Sequence, residues 1–172
     1  MERVTVNGTT LAYATYGEGE PLLLIHGAQG SSVEWKPQIE ALSRHFRLIV
    51  PDVRGHGASA QTSGPYSMEL FADDLAALLD TLEVESAHVL GHSMGGAVAQ
   101  SLAARHAGKV RRLILAETNY GFEDYPLLRW AATLSAPAMR LIGVRGFVSL
   151  TSRQLGVQDE ADKRLLESGF AP

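Results

Sequence analysis

Ser93 stands in a sequence pattern that turns a serine hydroxyl into a nucleophile. It is flanked by Gly91 and Gly95 in the sequence Gly-His-Ser-Met-Gly. A short apolar run at 87–90 precedes this sequence, and strong helix formers at 97–104 follow it. A strand, Gly-x-Ser-x-Gly and a helix in this order predict a nucleophile elbow, whose tight turn lifts the hydroxyl above the sheet. The alternative is a glycine-rich turn with a bystander serine.

The histidine that such a serine needs is not evident. In this architecture the order along the chain is serine, acid, histidine. The histidines of the chain are His26, His45, His56, His88, His92 and His106. Only His106 follows Ser93, and it falls in the helix that the elbow opens. The sequence therefore supplies a nucleophile without a recognisable base.

Short apolar strands alternate with amphipathic helices over the first two thirds of the chain, which predicts an α/β fold. Asn7-Gly8 predicts the tight turn of an N-terminal hairpin. The predicted strands after it are 21–25, 46–51, 87–90 and 110–116, and the predicted helices are 31–43, a segment that begins after Ser67, and 97–104. We expect a doubly wound, mostly parallel sheet in a core of residues 1–118. Residues 119–172 show helical patches without a strand and are predicted to form a partial helical cap.

The composition excludes several function classes. The 172 residues carry a net charge of −4 without a cluster of Lys and Arg, which argues against nucleic-acid binding. There is no cysteine for a disulfide, and no apolar run approaches the roughly 20 residues of a membrane span. The N-terminus leads directly into a strand pattern, which argues against a signal peptide. We expect a soluble, cytoplasmic protein without a cofactor or a metal ion.

Three loops that combine polar residues with glycines follow predicted strands at their carboxyl ends, where open sheets form binding sites. They read His-Gly-Ala-Gln-Gly at 26–30, Asp-Val-Arg-Gly-His-Gly at 52–57 and Gly-His-Ser-Met-Gly-Gly at 91–96. In this order and spacing they resemble the α/β-hydrolase family, specifically its lid-bearing, esterase-like branch. The resemblance covers residues 11–118, and the following helices resemble the start of a cap.

The resemblance implies roles for individual residues. Ser93 would form an acyl-enzyme, and the backbone N–H groups of Ala28 and Met94 would form the oxyanion hole. Because relatives that open epoxides or remove halides carry an aspartate at the elbow, a serine favours hydrolysis of a small carboxylic ester, thioester or lactone. The apolar cap residues Trp130, Leu134 and Met139 would line the pocket, which favours an apolar substrate.

Other residues are expected to support the site. His26 would hold the oxyanion loop, and His92 would project away from Ser93 as a scaffold or pocket-wall residue. Asp52 and Arg54 would hold their own loop, and Trp35 would pack the first helix or line the pocket. Glu117 follows the strand after the elbow, where some lipases of this fold place their acid. It is the candidate acid, although a loop or cap-hinge role is the interpretation we favour.

The departure from the family pattern leaves alternatives open. A full member continues into further strands that deliver the acid and the histidine, whereas this chain ends within or just after the cap. It is interpreted as the N-terminal portion of a hydrolase, as a non-catalytic fragment that binds a small ligand, or as half of a split enzyme. The strand 110–116 would then be an edge, which predicts self-association or binding of a complementing C-terminal fragment.

Overall fold

The computed structural model describes residues 1–118, and it contains the predicted hairpin and strands, with one of the predicted helices shorter than expected. The strands are β1 (Glu2–Val6), β2 (Thr9–Tyr16), β3 (Glu20–Ile25), β4 (Phe46–Pro51), β5 (Ala87–His92) and β6 (Val110–Ala116). The helices are α1 (Lys36–Leu42), α2 (Met68–Thr81) and α3 (Met94–Arg105), with short 3-10 turns at Ser32–Trp35 and Ala107–Lys109. The predicted cap at 119–172, with the pocket residues Trp130, Leu134 and Met139, lies outside the described residues.

The strands form one mixed, mostly parallel sheet in the order β1-β2-β4-β3-β5-β6. The hairpin of β1 and β2 is antiparallel, and β2 pairs antiparallel with β4. From β4 to β6 every pairing is parallel. Because Ile25, the last residue of β3, lies opposite Gly91 of β5, the loops that follow these two strands lie side by side.

Alternating side chains on the central strands bury both faces of the sheet. On one face Leu23 and Ile25 belong to a large core with residues of α2 and α3. On the other face Leu22 and Leu24 belong to a smaller core that is closed by Trp35. Burial on both faces is the property of a doubly wound sheet, and it explains why these strands read as continuous apolar runs.

Short sequence signals determine where the N-terminal hairpin turns and where α1 begins. Asn7 and Gly8 have φ values of 44° and 72°, as the tight Asn-Gly turn requires. The predicted helix at 31–43 is instead a 3-10 turn followed by α1. The α-helix begins beside Pro37, because proline lacks the N–H that would continue a helix from the preceding turn.

Strand β6 is an edge within the described part of the chain, where it pairs with β5 alone. The side chains of Leu113, Ile114 and Leu115 are 37%, 48% and 44% exposed. Among residues 1–118 there is no helix whose length and apolar character would let it cross a membrane.

Candidate active site

Ser93 is the single residue between β5 and α3, and its backbone is strained. Its φ is 52° and its ψ is −118°, a region that non-glycine residues rarely occupy. The N–H of Ser93 donates to the carbonyl of Ala116 at 3.0 Å, and the N–H of Gly96 donates to the carbonyl of Ser93 at 3.0 Å. The Thr118 hydroxyl also donates to that carbonyl, at 2.7 Å. The first turn of α3 and the end of β6 therefore hold the predicted elbow in place.

The glycines on either side of Ser93 are required by close backbone approach. A Cβ atom at Gly91 would overlap the carbonyl of Gly95, and a Cβ at Gly95 would overlap the carbonyl of Ile25. The elbow is thus packed against the end of β3. A larger residue at either position would push α3 away from β5 or β3.

The loop after β3 is oriented through the carbonyl of Gly27. That oxygen accepts from His26 Nδ1 at 2.8 Å and from the N–H of Gly30 at 3.2 Å. The described chain has no cis peptide, so the Ala28 N–H of the same peptide unit points to the opposite side. The two bonds to Gly27 therefore set the direction of the predicted oxyanion donor.

His26 is held as a neutral ring. It is fully buried, and its Nε2 accepts from the N–H of Val53 at 3.1 Å. Nδ1 must then carry the proton that is donated to Gly27. Burial lowers the pKa of His26, which keeps the neutral form at physiological pH. The ring thus links the loop after β4 to the loop after β3.

The segments that carry the two predicted oxyanion donors lie beside Ser93. Met94 is the first residue of α3, where helical N–H groups lack an intrahelical acceptor. A Cβ built on Gly27, next to Ala28, would lie 3.4 Å from the Ser93 Cβ. The loop that carries Ala28 therefore passes beside the nucleophile, with room for little more than the hydrogen atoms of Gly27. Convergence of the two N–H groups on one oxyanion stays a prediction.

Asp52 and Arg54 hold loops. The Asp52 carboxylate accepts from the N–H of Ser32 at 2.6 Å and of Ala58 at 2.7 Å. Arg54 makes a bidentate ion pair with Asp74 of α2, with both distances at 2.7 Å. The polar atoms of these buried side chains are hydrogen-bonded within the protein, which agrees with the loop-holding role expected of them.

Glu34 is a site residue that sequence reasoning missed. Its Oε1 lies 2.7 Å from His92 Nδ1, and its Oε2 accepts from the N–H of Gly27 at 3.0 Å. The carboxylate thus connects the residue before Ala28 with the residue before Ser93. The only local signal is an acidic residue in a 3-10 turn, because its partners lie 7 and 58 positions away.

The histidines of the described residues are engaged elsewhere than at the Ser93 hydroxyl. His56 Nδ1 lies 3.1 Å from the carbonyl of Arg54, His88 pairs with Glu20, His92 pairs with Glu34 and His106 pairs with Asp73. His45 is exposed on the turn before β4. No hydrogen bond found within residues 1–118 joins a histidine to the Ser93 hydroxyl. In the same part of the chain no three His, Asp or Glu side chains are grouped closely enough to hold a metal ion.

Glu117 lies directly after β6, between the two residues that bond the Ser93 backbone. Its φ is 48°, which few non-glycine residues adopt, and its side chain is exposed. This location brings its backbone near the elbow. Its role as the catalytic acid stays a prediction.

Known proteins are similar to this chain in sequence and in backbone fold. The enol-lactonase from Burkholderia xenovorans LB400 is similar over 98% of this chain and 67% of that chain, with 30% identity and a TM-score of 0.83. A thermophilic esterase from Thermogutta terrifontis is similar over 84% of this chain and 55% of that chain, with 36% identity and a TM-score of 0.76.

A curated relative adds a third comparison. The (E)-2-((N-methylformamido)methylene)succinate hydrolase of Acinetobacter baylyi is 35% identical over 107 residues, which cover 62% of this chain and 41% of that protein. The chain spans about two fifths of the length of the curated relatives it matches. The family model for the alpha/beta hydrolase fold matches residues 20–142, more than half of the chain. With the sheet order and the strained serine elbow in agreement, we conclude that this chain belongs to the α/β-hydrolase family.

Proposed function

We propose that the chain carries the nucleophile and the oxyanion hole of a serine hydrolase that acts on a small carboxylic ester, thioester or lactone. The observation that carries the proposal is the position of Ser93, on a strained turn at the N-terminus of α3 and against the loop of Gly27 and Ala28. On an elbow of this kind the hydroxyl would be raised above the sheet, and the N–H groups of Ala28 and Met94 would be the donors for the oxyanion. The names of the similar enol-lactonase and esterase support the same substrate class.

The chemistry is acyl transfer to water in two steps. The Ser93 oxygen attacks the substrate carbonyl, a base accepts the hydroxyl proton, and the carbonyl oxygen becomes an oxyanion. The N–H groups of Ala28 and Met94 would stabilise that charge, and each such donor typically contributes about 3–4 kcal/mol. Collapse of the tetrahedral species breaks the bond to the alcohol oxygen, thiol sulfur or ring oxygen, and the base returns its proton to that leaving group. Water then attacks the acyl-serine and releases the acid.

The second candidate is a split or non-catalytic form of the same fold. It is favoured by the pairing of His92 with Glu34, of His106 with Asp73 and of His26 with two backbone groups. In that case the cleft binds a small ligand, or a complementing chain brings the acid and the base. Both candidates place the ligand at Ser93, and they differ in turnover.

Covalent labelling tests the nucleophile. A fluorophosphonate probe should label the wild-type chain once, at Ser93, as shown by peptide mass spectrometry. Ser93→Ala should remove the label, and Ser101→Ala, a matched change farther along α3, should keep it. Equal labelling of Ser93→Ala would contradict the proposal.

A further inference from the structure

We propose that Glu34 is a positioning residue that fixes the oxyanion loop to the nucleophile elbow. We call Glu34, Gly27 and His92 the Glu34 bridge. The inference rests on the proposed function, because it concerns the distance between the oxyanion donors and Ser93. Glu34 would act through backbone position and would not touch the substrate.

The two carboxylate oxygens serve two different loops. Oε2 accepts from the Gly27 N–H at 3.0 Å, and Oε1 lies 2.7 Å from His92 Nδ1. An ionised carboxylate only accepts, so His92 Nδ1 must carry the proton that it donates. Gly27 directly precedes Ala28, and His92 directly precedes Ser93. One side chain therefore connects the segment of the oxyanion loop with the segment of the nucleophile, whose relative position matters for the reaction.

Two glycines leave room for the Glu34 carboxylate. A Cβ at Gly30 would lie 2.7 Å from Glu34 Oε2, and a Cβ at Gly27 would lie 3.4 Å from the same atom. The φ of Gly30 is not in the left-handed region, so an alanine there would meet a steric obstacle and not a backbone one. The same Cβ would lie 3.2 Å from the Gly27 carbonyl, so Gly30→Ala should displace the carboxylate and crowd that carbonyl while every polar group of the bridge remains.

The N–H and the carbonyl of Gly27 are held by different partners, and the Glu34 bridge holds only the N–H. His26 and Gly30 bond the carbonyl of Gly27, whereas Glu34 takes its N–H. The side chains of Glu34 and His92 are 26% and 39% exposed. Because contacts between partly exposed charged or polar side chains contribute little to stability, loss of the bridge should affect loop position more than folding. This separates a positioning role from a structural one.

The test measures three quantities in the full chain. These are the rate of Ser93 labelling by the fluorophosphonate, kcat and KM for an activated ester, and the melting temperature. Glu34→Ala should lower the labelling rate and kcat by about tenfold to a hundredfold, because small misplacements at a reacting centre cost rates of this order. KM and the melting temperature should change little. Glu40→Gln removes an exposed carboxylate from α1 and serves as the matched control.

The conservative variants add a second readout. Glu34→Gln keeps one acceptor oxygen and should give rates between those of wild type and Glu34→Ala. Gly30→Ala should lower kcat as Glu34→Ala does. If Glu34→Ala fails to fold, Glu34→Gln and Gly30→Ala decide the question. Wild-type labelling and kcat in these variants would overturn the inference, and so would an equal loss in Glu40→Gln. Absence of Ser93 labelling in the wild-type chain would instead overturn the proposed function.

Discussion

The N–H of Ser93 donates to the carbonyl of Ala116 at 3.0 Å, so the last residue of β6 helps to hold the nucleophile at the end of β5. Thr118, two residues farther, donates its hydroxyl to the Ser93 carbonyl. The strained turn is therefore bonded on both of its peptide groups. This bonding lets a serine persist at a φ of 52°.

The backbone strain at Ser93 should appear as a difference in the free energy of unfolding between two variants of this residue. Ser93→Gly should unfold at a higher urea concentration than Ser93→Ala, because glycine adopts a positive φ without the Cβ penalty that alanine retains. We expect a difference of about 1 kcal/mol in the free energy of unfolding, the lower end of the cost of such a conformation. The test compares urea midpoints with equal m values. A more stable Ser93→Ala would show that the turn is relaxed.

The buried ion pair of Arg54 and Asp74 should be a strong determinant of stability. The Arg54 and Asp74 side chains are 7% and 1% exposed, and Asp74 raises the pKa of Arg54. Asp74→Ala leaves a buried guanidinium without its partner and should cost about 3–5 kcal/mol. Asp80→Ala removes an exposed carboxylate from the same helix and should cost far less. Denaturant unfolding measures both, and equal losses would contradict the assignment.

The free energy of unfolding should decrease in mildly acidic solution, because His26 is buried as a neutral ring. Burial, and the neighbouring His56, lower its pKa in the folded state, while Asp52 and Glu34 oppose this shift. The unfolded chain therefore binds a proton first as pH falls below about 6.5, and the free energy of unfolding decreases from that pH downwards. Above it this contribution is fully present.

Unfolding curves between pH 7.5 and about 5 test this prediction, since carboxylates titrate mostly below that window. His26→Gln should flatten the pH dependence, whereas His45→Gln, a change on the surface, should leave it as in wild type. A stability that rises as pH falls through this window would contradict the neutral His26.

The β6 edge should associate with a second copy of the chain. Leu113, Ile114 and Leu115 are exposed on a strand that is an edge of the sheet within residues 1–118, and such edges template pairing. In an antiparallel pairing centred on Ile114, Arg111 of each copy would lie opposite Glu117 of the other, which places unlike charges together. This complementarity favours a dimer over open aggregation.

Sedimentation at tens of micromolar tests the edge. We expect a dimer in wild type, a monomer in Ile114→Lys, and an unchanged dimer in Val33→Lys, a matched change at another exposed apolar residue. A wild-type monomer at that concentration would contradict self-association. A dimer that persists in Ile114→Lys would place the contact elsewhere.

Sequence reasoning succeeds where the signal is local and misses contacts between distant positions. The hairpin at Asn7, the cap at Ser67 and the elbow at Ser93 were predictable because a few adjacent residues determine each one. Glu34 was not predictable, because its role depends on His92, 58 positions away. The predicted helix at 31–43 is too long at its N-terminus, because Pro37 favours an early helix position and the residues before it form a 3-10 turn.

The most direct test of the account is to trap the acyl group on Ser93. The chain should be mixed with p-nitrophenyl butyrate, quenched in acid and mapped by mass spectrometry. No hydrogen bond found within residues 1–118 joins a histidine to the Ser93 hydroxyl, and a triad enzyme without its base retains only about 10³–10⁴ over the uncatalysed rate, so we expect slow turnover. The butyryl-enzyme should accumulate, because p-nitrophenolate leaves without a proton whereas attack of water on the acyl-serine needs a base. The account predicts one butyryl adduct, on Ser93, that is absent in Ser93→Ala. A butyryl group on another residue, or none on Ser93 while ester is consumed, would contradict it.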